Sequence, residues 1–471
     1  MTLQASNPLE AFQWKPQPQA YSFIRSSADA FLRSCPSAAD LAERMQRETG
    51  TRFHDWIDTI FFPKSDDIAA TLDGVGYDVY KSPALKAWAS ADRKTIYHHP
   101  GGVFPRVGVH AEPMTAILLK VECVADFAAV WGIPSSAIDG GPLSVLRQAK
   151  IASTNDAELW VVERHGERGY VIPVTDPKHA MTIERTRELF RTRRRNFAAD
   201  ADDAGFAYTS QLVDDAIAAV GVDVACDLFF AAEREYWQRR NRAAQVQKAR
   251  QDRLGLGWAN HDHHTYRCSR ENFANLIAIQ EKLGLVARER FYAGREAGWG
   301  AQVMEQPVTG IVTFNDVDLS PEELYQDFAH EPLPPRDRLG TVGLWCGLHG
   351  DSMLQAGMHH LEAQFDFEAL RRQLEEEAAV KTMKPFTDFP HLRQAFTEGE
   401  RWKVRPERID RLLNRGLLTP EQAKQFRENG ALGSHLENLE RNDGFKGFNQ
   451  TGVSEIIAAT DPRKHAAAAV R

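Results

Sequence analysis

The stretch WANHDHHTYRCSRENFANLIAIQEKLGLVARERF, Trp258 to Phe291, decides the fold because its periodicity changes partway along. HDHHTYR reads as a strand: residues two apart share a face, so His261, His263, Thr265 and Arg267 point one way and Asp262, His264 and Tyr266 the other. After the polar turn CSREN the apolar residues recur at three-to-four spacing, which predicts a helix ending at Gly284 before a new strand. An earlier stretch, RFHDWIDTIFFPKSDDIAATLDGVGYDVY from Arg52 to Tyr80, passes through the same states in the same order. The chain therefore reads as an internal duplication, with Trp56 standing in the first copy where His263 stands in the second.

Further along, TAILLKVECVADF and TGIVTFNDVDLSPEEL also correspond: a strand, an acidic turn, then a helix. Ser320, Pro321 and Glu323 form a capping box for the second of these helices. Between the copies, Glu158 to Asp176 is expected to be a hairpin turning at His165-Gly166, and Val224 to Arg253 one long helix. The expected organisation is an N-terminal module over 1–180, a helical connector over 181–255 and a C-terminal module over 256–471. The last carries a helical insert, LTPEQAKQFRENG, capped by Thr419, Pro420 and Gln422 and stopped by Gly430. The final HAAAAVR is expected to fray.

At 471 residues the chain exceeds what one hydrophobic core usually spans, in keeping with two modules. It has no apolar run of membrane-spanning length, and its first residues lack a basic stretch followed by an apolar one, so neither a span nor a secretory signal is expected. The five cysteines are scattered, without a CxxC pair, which points to reduced thiols in the cytoplasm and away from a zinc ribbon. A net charge of -8 gives no general attraction to nucleic acid. The basic run from Arg185 to Phe197 is followed at once by AADADDAG and reads as a solvated helix. Oligomeric state is left open by the sequence.

Three separate stretches concentrate metal-binding side chains: HDHHTYR, LQAGMHHLEAQFDF with His359 and His360, and GSHLENLERNDGF with His435, Glu437, Leu439 and Arg441 on one face. Two imidazoles and a carboxylate from different strands, with no thiolate nearby, suit Fe(II) with open positions for substrate and oxygen. Zinc or manganese would fit the same spacing. Glu437 lies among leucines, where a carboxylate is costly unless paired or metal-bound. Arg267, about 13 Å along the strand from His263, is near enough to fold back toward a carboxylate held at the metal.

These motifs resemble the iron dioxygenases of the vicinal-oxygen-chelate superfamily over roughly residues 258 to 457. HLENLERNDGFKGFNQTGVSEII is similar to the C-terminal signature of 4-hydroxyphenylpyruvate dioxygenase and hydroxymandelate synthase, while DHHTYR, MHHLEA and FPHLRQAFTEG look more like the 2-oxoadipate dioxygenase/decarboxylase (hydroxyglutarate synthase) family. The resemblance implies an α+β fold of duplicated βαβββ modules, the first degenerate and without metal. It also implies Fe(II) held by His263, His360 and Glu437, His360 being preferred to His359 because it precedes the leucine. Arg267 falls at a position for the substrate carboxylate and is the expected catalytic arginine; Arg393, Gln394 and Arg441 are expected near the substrate. Gln302, beside Trp299, is a further expected substrate contact.

The implied reaction uses a small 2-oxo acid and O2, with no nucleic acid or membrane partner, and converts 2-oxoadipate to 2-hydroxyglutarate with loss of CO2. The alternatives are an aromatic 2-oxo acid dioxygenase of the 4-hydroxyphenylpyruvate type and a non-catalytic glyoxalase-fold binding protein. Other histidines have plainer readings. His261 and His264 read as structural, His165 as a turn residue and His349 as a turn residue rather than a base.

Overall fold

The computed structural model describes residues 13–81, 95–174, 176–198, 200–449 and 461–465. Two large mixed sheets divide the chain between them. In the first are β1 (Ile57–Pro63), β2 (Asp78–Val79), β3 (Thr95–His98), β4 (Arg106–His110), β5 (Thr115–Lys120), β6 (Ile138–Asp139), β7 (Leu146–Ser153) and β8 (Ala157–Arg164). The second has β9 (His261–Arg267), β10 (Val286–Tyr292), β11 (Trp299–Glu305), β12 (Val312–Asp318), β13 (His360–Gln364), β14 (Thr387–Phe389), β15 (Leu392–Phe396), β16 (Glu400–Trp402) and β17 (Ala431–Arg441).

The strand orders are β2-β3-β4-β1-β5-β8-β7-β6 and β10-β11-β12-β9-β13-β17-β15-β14, with β16 added on β17. In each sheet a strand, a helix and three more strands form a unit whose first and last strands pair in parallel: β1 with β4, β5 with β8, β9 with β12, β13 with β17. Two such βαβββ units meet through the antiparallel pairs β1/β5 and β9/β13. This is the duplicated vicinal-oxygen-chelate architecture in an α+β chain. The match of the first copy to the second holds as β1-helix-β2 against β9-helix-β10. TAILLK and TGIVTFNDVD do not correspond, however: β5 opens a unit and pairs with β1, whereas β12 closes one and pairs with β9. Their shared apolar character marks central strands of either kind.

Helices cover one face of each sheet. Ile60, Ile117, Leu119, Val161, Leu72 and Phe127 belong to the core under the first sheet, and Tyr266, Leu276, Ile277, Leu361, Leu370 and Leu436 to that under the second. Each such side chain contributes about 1.5–3 kcal/mol through burial. Trp56 is in the first core, in a 3₁₀ turn (Phe53–Trp56) that precedes β1, so it does not occupy a strand position facing the open side of its sheet.

Between the sheets, the helices Pro177–Thr192, Asp202–Val220, Val222–Gln238 and Arg242–Asp252 form the connector. The expected single long helix is broken after Gln238, and Asn241 caps the next one by accepting from Ala244 N at 2.8 Å. The connector is locked to β9 by buried charge. Glu233 accepts from Arg193 at 2.9 Å, from Arg195, and from the Tyr266 hydroxyl at 3.3 Å. Losing one partner of such a buried group costs about 3–5 kcal/mol.

Two other local expectations change. The strand running through Glu158 ends at Arg164 and its hairpin partner is β7, so the turn lies at Asn155-Asp156 rather than at His165-Gly166. Ser320-Pro321-Glu323 opens only a 3₁₀ turn, Glu322–Tyr325, although Glu323 does accept from Ser320 N at 2.8 Å while also receiving Arg270 at 2.8 Å. The insert helix Pro420–Asn429 has the full capping box between Thr419 and Gln422. Residues 450–460, and all of the terminal HAAAAVR segment except His465, lie outside the described residues. No described helix is long and apolar enough to cross a membrane, and the five cysteines are free.

Candidate metal centre and substrate pocket

The centre forms where β9, β13 and β17 lie side by side. His263 is opposite Glu362, which is opposite Glu437; one row further, Thr265, His360 and His435 are opposite one another. Neighbouring strands are about 4.8 Å apart, so one row of side chains on one face brings its ends together. His263, Glu362 and Glu437 offer donor atoms that all lie within 4.8 Å of one another. His360 Nε2 is 2.7 Å from Glu362 Oε1 and 3.5 Å from Glu437 Oε2, and His263 Nε2 is 2.9 Å from the same Glu362 oxygen. All four side chains are buried.

His263 is aimed from behind. Its Nδ1 donates to Asp262 Oδ1 at 2.8 Å, and Asp262 is gripped by Arg441 at 2.8 and 2.9 Å and by Gln364 at 2.9 Å. A carboxylate on the far ring nitrogen fixes the tautomer and leaves Nε2 for an ion. Arg441 donates as well to the carbonyls of Phe445 and Gly447, at 3.1 and 2.8 Å, which ties the Gly-Phe turn to the centre. It is thus a support for His263 and not the substrate contact expected of it. Gln394 donates to Glu437 Oε1 at 2.8 Å and lines the pocket. Entry into β13 needs Gly357, at φ +70, where a Cβ would lie 2.7 Å from the Tyr236 ring.

Burial raises the Glu437 carboxyl well above the ordinary range, and neighbouring Glu362 raises it further. Burial would raise Glu362 too, but His263 and His360 outweigh that and hold it below the usual carboxylate range. His263 is raised, Glu362 and Asp262 overcoming the cost of burial, whereas His360 is lowered by burial. Two adjacent buried carboxylates with only imidazole to balance them are costly without a further positive charge. Among the described residues Glu362 Oε2 and His360 Nδ1 find no hydrogen-bond partner, and both are buried.

A cavity of about 50 Å³ is lined by this centre and by Arg267. Phe291, Trp299, Phe314, Phe386, Phe396 and Phe448 wall it, and Phe448 meets the His263 ring edge-on at 4.9 Å. Arg267 and Asp316 also line it, with Arg267 Nε 3.5 Å from Asp316 Oδ2. Burial pushes the Asp316 carboxyl up to about 8 although Arg267 pulls it back, and Asp316 Oδ1 has no partner among the described residues. Arg267 is therefore buried without a firmly charged partner.

The structure brings His263, His360, Glu437, Arg267 and Gln394 to one pocket. It does not bring Arg393, which points outward to Glu368 and Asp388, because alternation along β15 puts its two neighbours on the inner side. Nor does it bring Gln302, which donates to the Glu289 and Val303 carbonyls, at 3.1 and 3.0 Å, away from the pocket; Trp299 lines the pocket instead. His261 leaves the His263 face because a bulge at Asp262 shifts the register, and its ring lies 5.2 Å from that of His264. His359 turns to the Gly433 carbonyl at 3.0 Å, and His349 ends the helix Thr341–His349 with Nε2 3.0 Å from the Leu432 carbonyl. Glu362, Asp262 and Asp316 were not singled out as site residues; Glu362 had a readable signal, two residues from His360 in a strand.

No family model and no curated protein matches the chain. Solved structures that resemble it include a protein assigned to the glyoxalase superfamily from Ralstonia eutropha JMP134, 12% identical, with a TM-score of 0.34 over 59% of this chain and 100% of that one. A mutant of 4-hydroxymandelate synthase from Streptomyces coelicolor is 11% identical, with a TM-score of 0.24 over 87% of this chain and 98% of that one. Methylmalonyl-CoA epimerase from Mycobacterium tuberculosis is 12% identical, with a TM-score of 0.23 over 39% of this chain and 88% of that one. The class rests on strand order and pairing: a protein of two vicinal-oxygen-chelate modules, with a His/Glu cluster inside the second.

Proposed function

We propose that the chain is an Fe(II)-dependent dioxygenase that oxidatively decarboxylates a 2-oxo acid, with 2-oxoadipate and O2 giving 2-hydroxyglutarate and CO2. The observation that carries this reading is the convergence of His263, His360 and Glu437 in a pocket that Arg267 also lines. The donors fit an ion: His360 Nε2 and Glu437 Oε2 are 3.5 Å apart, close to the edge of a coordination shell with bonds of about 2.1 Å. Bound iron would supply activation of O2 beside a chelated 2-oxo acid.

The protein's own share is placement. Arg267 takes the distal carboxylate through its guanidinium fork, and Asp316, carrying its proton, yields the arginine to that carboxylate. Asp262 and Arg441 hold His263, Gln394 holds Glu437, and the aromatic walls exclude water from the reacting end. Glu362 has to remain on the Thr265 hydroxyl, 2.8 Å away, and off the ion. A fourth protein donor would leave two places on a six-coordinate ion, enough for a chelating acid and none for oxygen.

Glu362 also supports a second reading. With it bound as a fourth donor, the centre would be a Lewis acid suited to proton transfer beside a carbonyl, without O2. The test is oxygen uptake and CO2 release by Fe(II)-loaded protein with 2-oxoadipate, shorter and longer 2-oxo diacids, and 4-hydroxyphenylpyruvate, the last because the pocket walls are aromatic. The first reading predicts matched uptake and release, selective for a diacid and kept in Glu362→Gln. Metal binding that falls in Glu362→Gln as far as in Glu437→Gln, with no uptake in either, supports the second.

A further inference from the structure

A second cavity, about 690 Å³, lies between the open side of the first sheet, the connector and the edge of the second module. Its volume is that of a metabolite site, well above that of the metal pocket. Its wall carries more positive than negative charge that is left to spend. Arg106 and Arg164 share the single carboxylate of Asp58, at 3.2 and 2.9 Å. Lys120, at the end of β5, has no ion pair or hydrogen bond among the described residues. Among the described residues Arg234, from the connector, bonds only to a neutral acceptor, His264 Nε2 at 3.2 Å, and its Nε is buried without a partner. His261 Nδ1 is likewise buried and unpartnered, on a ring 5.2 Å from that of His264.

The carboxylates on the same wall are mostly committed elsewhere: Asp55 to Arg52, Asp262 to Arg441, Asp227 to His165, Glu122 to Lys248, and Glu305 to Arg288 and Lys446. Among the described residues Glu167 alone of these has no cation, and its Oε1 accepts from Gly169 N. Uncompensated buried cations are expensive, and a cavity large enough to admit a counter-ion removes that cost. Burial lowers the Lys120 ammonium, with Asp58, Asp55 and Asp262 only partly restoring it, in line with a cation set back from solvent among carboxylates already in use.

We propose that this cavity is a second ligand site, separate from the metal pocket, which takes a small dianion bearing carboxylate or phosphate groups, bound by Lys120, Arg234 and His261. Because these three come from the first sheet, the connector and the second sheet, an occupied site would bridge the modules. The proposal does not depend on the dioxygenase reading.

The test is calorimetric titration of the full-length protein with succinate and, separately, inorganic phosphate, at constant ionic strength set with NaCl. Wild type, Lys120→Met, Arg234→Gln and Arg267→Met are compared, with melting temperatures as a check on folding. The expected result is saturable binding of one equivalent of at least one dianion, weakened tenfold or more in Lys120→Met and Arg234→Gln and unchanged in Arg267→Met. Which arm binds tells carboxylate from phosphate. Binding of neither, or binding lost only in Arg267→Met, overturns the proposal. If Arg234→Gln does not fold, Lys120→Met decides alone: undiminished binding there also overturns it.

Discussion

The two sheets have the same strand order and opposite interiors. On the open side of the first, Phe61, Ile96, Ala116, Leu118, Leu146 and Val162 form an apolar cluster, and beyond it Arg106 and Arg164 both pair with Asp58. On the open side of the second, the central strands carry His263, His360, Glu362 and Glu437. The helix-facing sides are alike, with aliphatic and aromatic residues at alternate positions. Alternation on the covered face is thus enough to specify the fold, and the other face is left free to be filled or to become a site.

The sharpest way to break this comparison is to remove one residue from each interior. His263→Ala is expected to abolish tight metal binding, read by metal analysis after dialysis, while Asp58→Ala leaves metal content unchanged and lowers the melting temperature. Equal metal content in both variants would remove the distinction.

Next in size is a pH effect confined to the first half. His165 is held between Asp227 at 2.8 Å and Glu163 at 2.7 Å, and these carboxylates outweigh burial to raise it to about 10. The folded state then binds a proton that the unfolded chain, with an ordinary pKa of about 6.5, releases earlier. That contribution is full below pH about 6.5 and is lost as pH rises toward 10; it amounts to a few kcal/mol at most. Urea melts at pH 6 and 9.5 should show the fall in wild type and a smaller one in His165→Gln.

Within the second half, Asp262→Asn should weaken metal affinity about 10- to 100-fold by releasing His263, without removing a ligand. Metal titration with a chromophoric competitor measures this, and an unchanged affinity would mean that His263 needs no support from behind. The smallest effect is expected from Arg267→Lys: about tenfold in kcat/KM for a diacid, because a point charge replaces a fork, with little change for a substrate lacking the second carboxylate. Steady-state kinetics with paired substrates would show it.

Much of the second half was legible because strand alternation is a strong constraint. Once HDHHTYR is a strand, His263, Thr265 and Arg267 share a face, and all three line the pocket. The bulge at Asp262 was not legible: it depends on pairing with β13 and removes His261 from that face. Alternation also explains Arg393 against Gln394, adjacent residues of which only the second faces inward. Glu362 was visible in MHHLEA by the same rule, yet the resemblance drew attention to a histidine. Trp56 misled because His-Asp recurs in both copies: in the second it opens β9, while in the first it lies in a 3₁₀ turn that precedes β1. The second cavity lies beyond any sequence reading, since Lys120, Arg234 and His261 meet only through the packing of three separate regions.

The most direct test of the central claim is simultaneous measurement of O2 consumption and CO2 release by anaerobically Fe(II)-loaded protein given 2-oxoadipate. The account predicts one CO2 per O2, with 2-hydroxyglutarate formed and both signals absent in His263→Ala. Iron bound at one equivalent with no oxygen consumed on any 2-oxo acid in the panel would contradict it.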